Sequence, residues 1–135
     1  MDYYQANGLT NYGCEKIIGM KNTIYYLSTC DTCKRIMKEF DLEDFDQIDI
    51  KKQPLSEAQI EYLYRKVGSY EGFFSKSARK YRALNLKEKN LSEADFKHYL
   101  LEDYTFLKRP VFIIDQEAYV GNSKKNIEVL KEILK

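Results

Sequence analysis

The chain has 135 residues, the usual length of one domain with a single hydrophobic core. Hydrophobic residues make up 44% and charged residues 32% of it, a balance that excludes wholesale disorder. With 22 basic and 21 acidic side chains the formal net charge is +1, so the chain as a whole has no electrostatic preference for nucleic acid or an anionic membrane. No apolar run approaches the roughly 20 residues of a membrane-spanning helix.

Residues 1–19, MDYYQANGLTNYGCEKIIG, show no clear periodicity and lack the basic and apolar regions of a secretory signal. We expect a leader or tail outside the fold here, followed by a single domain over residues 20–135. Cys14 lies in this leader and receives little functional weight. Three cysteines are too few, and odd in number, for a disulfide-stapled secreted module. A cytoplasmic protein is therefore expected.

The segment from Thr23 to Ile50 predicts a compact βαβ unit. TIYYL is β-branched and aromatic, as in a buried strand, and the loop STCDTC follows it. KRIMKEF then has apolar residues at helical spacing, and FDQIDI alternates as a second strand. Two strands joined by a helix should be parallel, with a right-handed crossover.

The middle of the chain, about residues 55–104, is expected to be helical. Ser56 and Gln59 form a capping-box pattern at the start of one helix. The segment FFSKSARKYRAL predicts another short helix. Ser92 with Asp95 opens a third, whose inner face holds Phe96, Tyr99 and Leu100.

Strand signals return near the end of the chain. PVFII and AYV, separated by the turn DQE, predict a hairpin. Ser123 should then cap a terminal amphipathic helix with Ile127, Leu130, Ile133 and Leu134 facing inward. The resulting order places the protein in the α/β class, with a thioredoxin-like β-α-β…β-β-α core and a helical insertion between its two halves.

Cys30 and Cys33 are the principal candidates for chemistry. Cys30 lies where the first strand ends and the first helix begins, so unpaired backbone N–H groups and the positive end of the helix dipole favour its thiolate. Lys34 adds positive charge one turn on. Cys33 lies one helical turn further and can resolve a sulfenic acid or mixed disulfide formed on Cys30.

Two alternatives to a redox pair remain open. A zinc site needs about four ligands, and only Cys14 and the single histidine, His98, are left to complete one; His98 is better interpreted as a solvated helix position. The two thiols can also be passive small residues at a helix start. We predict no metal.

A second feature is FLKRPVFII, in which a proline precedes a strand. Pro110 is a candidate cis-proline that would leave backbone groups free beside the cysteine loop. Arg109 would then direct its guanidinium towards Cys30 and suit an oxyanion, a thiolate or a carboxylate. In SKSARKYR, Lys76 and Arg79 are basic residues that would help to bind an anion if this segment packs over the cysteine loop. A surface arginine and a solvated basic face are the respective alternatives.

CDTC after a strand, an insertion with YRALNL, and KRPVFIID…YVGNSKKNIEVL resemble the ArsC family over about residues 21–134. This family contains glutaredoxin-linked arsenate reductases, Spx redox regulators of bacterial transcription and relatives of the YffB kind. The resemblance implies a nucleophilic cysteine at Cys30 and the conserved pre-proline arginine at Arg109. CxxC is the Spx-type arrangement, whereas the glutaredoxin-linked reductases typically carry one cysteine in this loop.

The resemblance fails at two positions. The reductases surround arsenate with two further arginines, but the matching places here hold Ser75 or Ser77 and Gly121 with Asn122. Each lost charge-assisted contact is worth roughly 1.5–3 kcal/mol, so arsenate should bind weakly. Lys76 or Arg79 would replace the missing arginines only in part.

These observations predict an ArsC-family thiol oxidoreductase. Its catalytic residues would be Cys30, Cys33 and Arg109, and the residues that support a thiolate or a bound anion would be Thr32, Lys34, Lys76, Arg79 and Pro110. No bound cofactor is expected, and glutathione, glutaredoxin or thioredoxin would donate electrons. The alternatives are a glutaredoxin-linked arsenate reductase and an Spx-like regulator whose disulfide controls contact with RNA polymerase. A monomer without direct nucleic-acid or membrane binding is expected.

Overall fold

The computed structural model describes residues 21–134, so the predicted leader and Cys14 lie outside the described residues. The strands are β1 (Thr23–Tyr26), β2 (Asp46–Asp49), β3 (Val111–Ile114) and β4 (Glu117–Val120). The α-helices are α1 (Asp31–Met37), α2 (Glu57–Val67), α3 (Arg79–Ala83), α4 (Glu93–Glu102) and α5 (Lys124–Ile133). Short 3₁₀ helices cover Glu71–Phe73, Leu86–Glu88 and Tyr104–Phe106. None of the helices in this part of the chain is long and apolar enough to cross a membrane.

The four strands form one sheet in the order β2-β1-β3-β4. β1 pairs with β2 in parallel, and its other edge pairs with β3 antiparallel. β3 and β4 form the predicted antiparallel hairpin, with Asp115 and Gln116 both at positive φ in its turn. The predicted element order, including the helical insertion between β2 and β3, is confirmed.

Successive side chains of the central strands, β1 and β3, are buried on opposite faces of the sheet. Ile24 and Phe112 point to one face, where they pack with Ile36 of α1 and Leu130 of α5. The opposite face is covered by α2, α4 and the insertion; its buried residues include Tyr25, Val111, Ile113, Ile60, Leu63, Phe74 and Phe96. Both faces of β1 and β3 are therefore covered, which explains why these strands are almost uniformly apolar.

Three helices begin where the sequence predicts them. The Ser56 and Gln59 pair and the Ser92 and Asp95 pair each form a complete capping box, and Ser123 accepts a hydrogen bond from the N–H of Asn126. These caps satisfy N–H groups that have no partner inside the helix.

The predicted helix over FFSKSARKYRAL is wrong in its first half, because the α-helix begins only at Arg79. Phe74 forms an antiparallel bridge with Leu107, and the N–H of Ser75 donates to the carbonyl of Phe106 at 2.6 Å. These tertiary hydrogen bonds hold Phe74 and Ser75 alongside the chain that leads into β3. A turn at Lys76 and Ser77 then connects them to α3.

Two smaller expectations also need correction. Helix α1 begins at Asp31 and ends at Met37, so Phe40 lies beyond it and packs edge-on against Phe112, with ring centroids 6.0 Å apart. In α5, Leu130 is fully buried, but Ile133 is 40% exposed and does not face inward as predicted. Ile133 is the last residue of α5, where the helix reaches the edge of the core.

Candidate active site

Cys30 is the N-cap residue of α1, with extended backbone angles (φ −98°, ψ 110°). Its N–H donates to the carbonyl of Leu27 at 3.0 Å, and its own carbonyl accepts from the N–H of Lys34 at 3.2 Å. The turn after β1 therefore fixes the backbone on both sides of the thiol. Cys30 is half-buried, and its sulfur makes no regular capping hydrogen bond.

The surroundings of Cys30 favour its thiolate. Partial burial acts to raise the pKa of this thiol, but interactions with the backbone and side chain of Cys33 and with the Arg109 guanidinium outweigh burial. The net result is a pKa below the ordinary cysteine value. A larger fraction of Cys30 is consequently in the nucleophilic form near neutral pH.

Cys33 is in the opposite state. It is completely buried in the first turn of α1, and burial is the main reason why its pKa is raised to about 12. The backbone of Leu27 and the charge of Arg109 act against this rise, and the neighbouring Cys30 sulfur contributes to it. One thiol of the pair is thus poised to ionise and the other stays protonated.

Arg109 reaches Cys30 from the far half of the chain. Its guanidinium Nη1 donates to the carbonyl of Thr105 at 3.0 Å and to that of Leu107 at 3.1 Å. These two bonds fix the side chain beside the Cys30 sulfur. The Arg109–Pro110 peptide bond is cis, and Pro110 is buried at the start of β3.

A cavity of about 260 Å³ opens in front of the Cys30 sulfur. It is lined by Cys30, Ser75, Lys76, Ser77, Lys108, Arg109, Val120, Gly121, Asn122 and Ser123. Lys76, Lys108 and Arg109 are its charged lining residues, and all three are basic. The cavity is therefore suited to an anionic or strongly polar group next to the reactive sulfur.

The other predicted support residues lie at different distances from this cavity. Lys76 lines it, although its amine is paired with the carboxylate of Glu71. Thr32 and Lys34 belong to α1, half-buried and exposed respectively, and neither lines the cavity. Arg79 is exposed at the start of α3 and is likewise absent from the lining.

The structure adds residues that the sequence analysis did not assign to the site. Lys108 and Ser123 line the cavity, and Ser123 brings the N-terminus of α5 to it. Asp49, at the end of β2, accepts hydrogen bonds from the N–H of Ser28 at 3.4 Å and of Lys51 at 3.1 Å. Asp49 thus ties the end of β2 to the loop that precedes Cys30. No local pattern in the sequence predicts these contacts.

Within residues 21–134, no group of three or more His, Cys, Asp or Glu side chains is arranged to hold a metal ion. His98 lies on the exposed surface of α4, as predicted, next to Glu102.

Comparison with known proteins identifies the family. The ArsC family model matches residues 25–130 of this chain. The chain belongs to the ArsC family. It is 34% identical over 114 residues to the uncharacterized protein YusI of Bacillus subtilis (strain 168), an alignment that covers 81% of this chain and 97% of YusI.

Solved ArsC-family structures share the fold. A protein of Streptococcus mutans UA159 described as a possible arsenate reductase is 31% identical, with a TM-score of 0.66 over 82% of this chain and 98% of its own. An ArsC family related protein of Bacteroides fragilis is 21% identical, with a TM-score of 0.69 over 82% of this chain and 99% of its own. The fold is therefore the thioredoxin-like fold of the ArsC family.

The two places at which the ArsC resemblance leads one to expect arginines both line the cavity. The serines that stand at the place of one expected arginine, Ser75 and Ser77, both line the cavity, and their hydroxyl oxygens lie 3.1 Å apart. Gly121 and Asn122, at the place of the other, line it too. Neutral groups thus occupy two sides of this cavity.

Proposed function

We propose that this ArsC-family protein is a thiol oxidoreductase that reduces an oxidised sulfur substrate through Cys30 and Cys33. The observation that carries the proposal is the pairing of a thiol of lowered pKa, beside Arg109, with a buried thiol of raised pKa one helical turn away. Such a pair separates the attacking role from the resolving role.

In the proposed cycle the Cys30 thiolate attacks one sulfur of a substrate disulfide. The substrate S–S bond breaks, the leaving thiolate takes a proton from solvent, and Cys30 becomes part of a mixed disulfide. Cys33 then loses its proton and attacks the Cys30 sulfur, which releases the second substrate thiol and leaves a Cys30–Cys33 disulfide. An external thiol reductant returns both cysteines to the reduced state.

The raised pKa of Cys33 supports this order of events. Part of the rise comes from the neighbouring Cys30 sulfur, and that part disappears once Cys30 is bound in a neutral mixed disulfide. Cys33 therefore becomes more acidic at the stage at which it must attack. In the resting protein it stays protonated and does not compete with Cys30.

The remaining features of the proposal follow the family resemblance. Electrons would come from glutathione, glutaredoxin or thioredoxin, with no bound cofactor. We place the protein in the cytoplasm as a monomer. Thr32, Lys34 and Arg79 lie outside the cavity lining, so their support of the thiolate would be through longer-range charge or through the first turn of α1.

Arsenate reduction is the second candidate. It is favoured by the 31% identity to the Streptococcus mutans protein described as a possible arsenate reductase. The neutral residues at the two expected arginine positions act against it, since Arg109 is left with only the lysines of the cavity to bind an oxyanion. A glutaredoxin-coupled assay of arsenate-dependent NADPH oxidation should therefore be flat. Turnover that disappears in Cys30→Ser would reverse this preference.

An Spx-like regulator is the third candidate, favoured by the paired cysteines of the CDTC loop. It predicts that oxidation of this pair changes binding to RNA polymerase. A pull-down with RNA polymerase, using the reduced and the oxidised protein, tests this candidate. If neither form binds polymerase, the regulator hypothesis is refuted.

The central test is formation of the Cys30–Cys33 disulfide. Under mild oxidant the intact protein should lose two hydrogen atoms by mass, and tryptic mapping should link the two cysteines. Cys33→Ser should remove this loss; when oxidised glutathione is the oxidant, Cys30 of this variant should instead keep one glutathione in a mixed disulfide while a second glutathione leaves as the thiol. Cys14→Ser is the matched control and should leave the disulfide intact. If the wild-type protein forms no such disulfide, the resolving role of Cys33 is refuted.

A further inference from the structure

A second cavity with basic lining residues lies next to the cavity at Cys30. The second cavity has a volume of about 360 Å³ and is lined by Lys76, Tyr81, Arg82, Asn85, Lys87 and Glu88. Lys76 lines both cavities. The cavity at Cys30 therefore adjoins, at Lys76, a cavity that Tyr81 and Arg82 of α3 line.

Five basic residues line the two cavities, and we call them the basic track: Lys76, Arg82, Lys87, Lys108 and Arg109. Glu88 is the single acidic residue in the two linings. Since the whole chain carries a formal charge of only +1, this accumulation is a local feature and does not follow from the overall composition.

Most of the charge in the basic track is not neutralised by neighbouring carboxylates. Lys76 is paired with Glu71, but Arg82, Lys87 and Lys108 make no ion pair with any residue in the described range 21–134. Arg109 donates only to backbone carbonyls. Other basic residues in this range, such as Lys38, also make no ion pair, so what distinguishes the basic track is that its residues line two neighbouring cavities.

A substrate that uses the whole basic track must be extended and must carry several negative charges. A small oxyanion would fill only the cavity at Cys30 and leave Arg82 and Lys87 unused. Leu84, in the same turn as Arg82, is 45% exposed and offers apolar contact to a longer ligand. These features fit a polypeptide segment better than a small molecule.

We propose that the substrate of Cys30 is a disulfide-bonded cysteine in an acidic segment of a polypeptide, with its carboxylates bound along the basic track. This inference rests on the proposed thiol oxidoreductase function and specifies its substrate class. The chemistry is the two-electron exchange described above: the substrate disulfide is reduced to two thiols, and Cys30 and Cys33 are oxidised to a disulfide. A low-molecular-weight thiol or a dithiol protein supplies the electrons that restore them.

Three synthetic peptides test the proposal. Each has one cysteine carrying thionitrobenzoate in a mixed disulfide, flanked on both sides by two glutamates, two glutamines or two lysines. The protein is studied in a Cys14→Ser background, so that release of thionitrobenzoate reports Cys30. At low ionic strength the glutamate peptide should react about tenfold faster than the lysine peptide, since complementary charge raises association rates by about 10-fold or more. At about 0.5 M salt the difference should fall below about twofold, because the Debye length is then only a few ångströms.

Two double variants, each lacking two positive charges, show which residues cause the preference for the glutamate peptide. Each rate is first divided by the same variant's rate with neutral iodoacetamide. The double variant Arg82→Gln, Lys87→Gln should then lower the preference for the glutamate peptide over the lysine peptide at least threefold. The control Lys38→Gln, Lys131→Gln removes two charges near the far ends of α1 and α5 and should leave the preference unchanged. Equal rates for the three peptides, or equal losses in both double variants, would overturn the basic track as a binding surface. No thionitrobenzoate release from any peptide would instead refute the proposed function.

Discussion

Replacing Arg109 by glutamine should make the Cys30 thiolate less stable without disturbing the fold. The guanidinium lies beside the sulfur and contributes to the lowered pKa of Cys30 both by direct interaction and by its charge. Charge-assisted hydrogen bonds are worth roughly 1.5–3 kcal/mol. Because Cys30 is only half-buried, solvent screens this contact, and we expect a loss of about 1 to 1.4 kcal/mol.

That loss lowers the thiolate fraction about five- to tenfold at a pH below the pKa of Cys30. A thiolate of higher pKa is a better nucleophile, and this compensates in part, by about two- to threefold. In acidic solution Arg109→Gln should therefore react about two- to fourfold more slowly than the wild type. In alkaline solution, where Cys30 is ionised in both proteins, Arg109→Gln should react about two- to threefold faster than the wild type. The two pH profiles should cross.

The assay is the rate of alkylation of Cys30 by iodoacetamide as a function of pH, followed by mass spectrometry of the Cys30 peptide. Arg109→Lys keeps the charge but loses the two-carbonyl anchor, so its profile should lie between the others. Lys108→Gln removes a charge from the same cavity and should shift the profile far less, since Lys108 is not among the main causes of the lowered pKa of Cys30. Superimposed wild-type and Arg109→Gln profiles, or an equal shift in Lys108→Gln, would refute the role given to Arg109.

Two further predictions concern stability and can be measured by urea unfolding with circular dichroism, since the chain has no tryptophan. Ser56→Ala removes the hydroxyl that accepts from the N–H of Gln59 at 3.2 Å and should cost about 1 kcal/mol; a change under about 0.3 kcal/mol would contradict the capping role. Asp49→Asn should become less damaging as the pH falls. The hydrogen bond from the Ser28 hydroxyl is the main cause of the lowered Asp49 pKa, so the stabilisation by the carboxylate is fully present above about pH 4 and is lost as the pH falls through the folded-state value. A difference between wild type and Asp49→Asn that stays constant with pH would contradict it.

Much of the fold could be predicted because its determinants are local. The caps at Ser56, Ser92 and Ser123 each join a side chain to a backbone N–H three residues on, and such pairs are visible in a few letters of sequence. The strand signals of β1 and β3 arise from runs of β-branched and aromatic residues, which remain apolar because both faces are buried. The position of Cys30 at the start of α1 could be predicted for the same reason, because a strand pattern precedes it and a helix pattern follows it.

Predictions failed where a contact between distant parts of the chain overrode local preference. The sequence predicts a helix over the segment from Phe74 to Ala78, yet this segment is bridged and turned because Phe74 pairs with Leu107 and Ser75 with Phe106. The helix propensity of these few residues is worth only tenths of a kcal/mol each, less than a satisfied pair of buried backbone groups.

The sequence by itself determined that this is an ArsC-family chain with a cysteine at a helix start, because that information lies in short motifs and their order. Only the tertiary structure decided what surrounds the cysteine. The cis-proline loop brings Arg109 to Cys30, and the non-helical segment before α3 brings Lys76 and two serines to the cavity. The basic track likewise combines residues of α3 and its flanking segments with residues just before β3. In the sequence the basic residues around α3 are typical of a solvated helix face. In the fold they lie near Lys108 and Arg109, which are far from them in the chain, and together these residues line two neighbouring cavities.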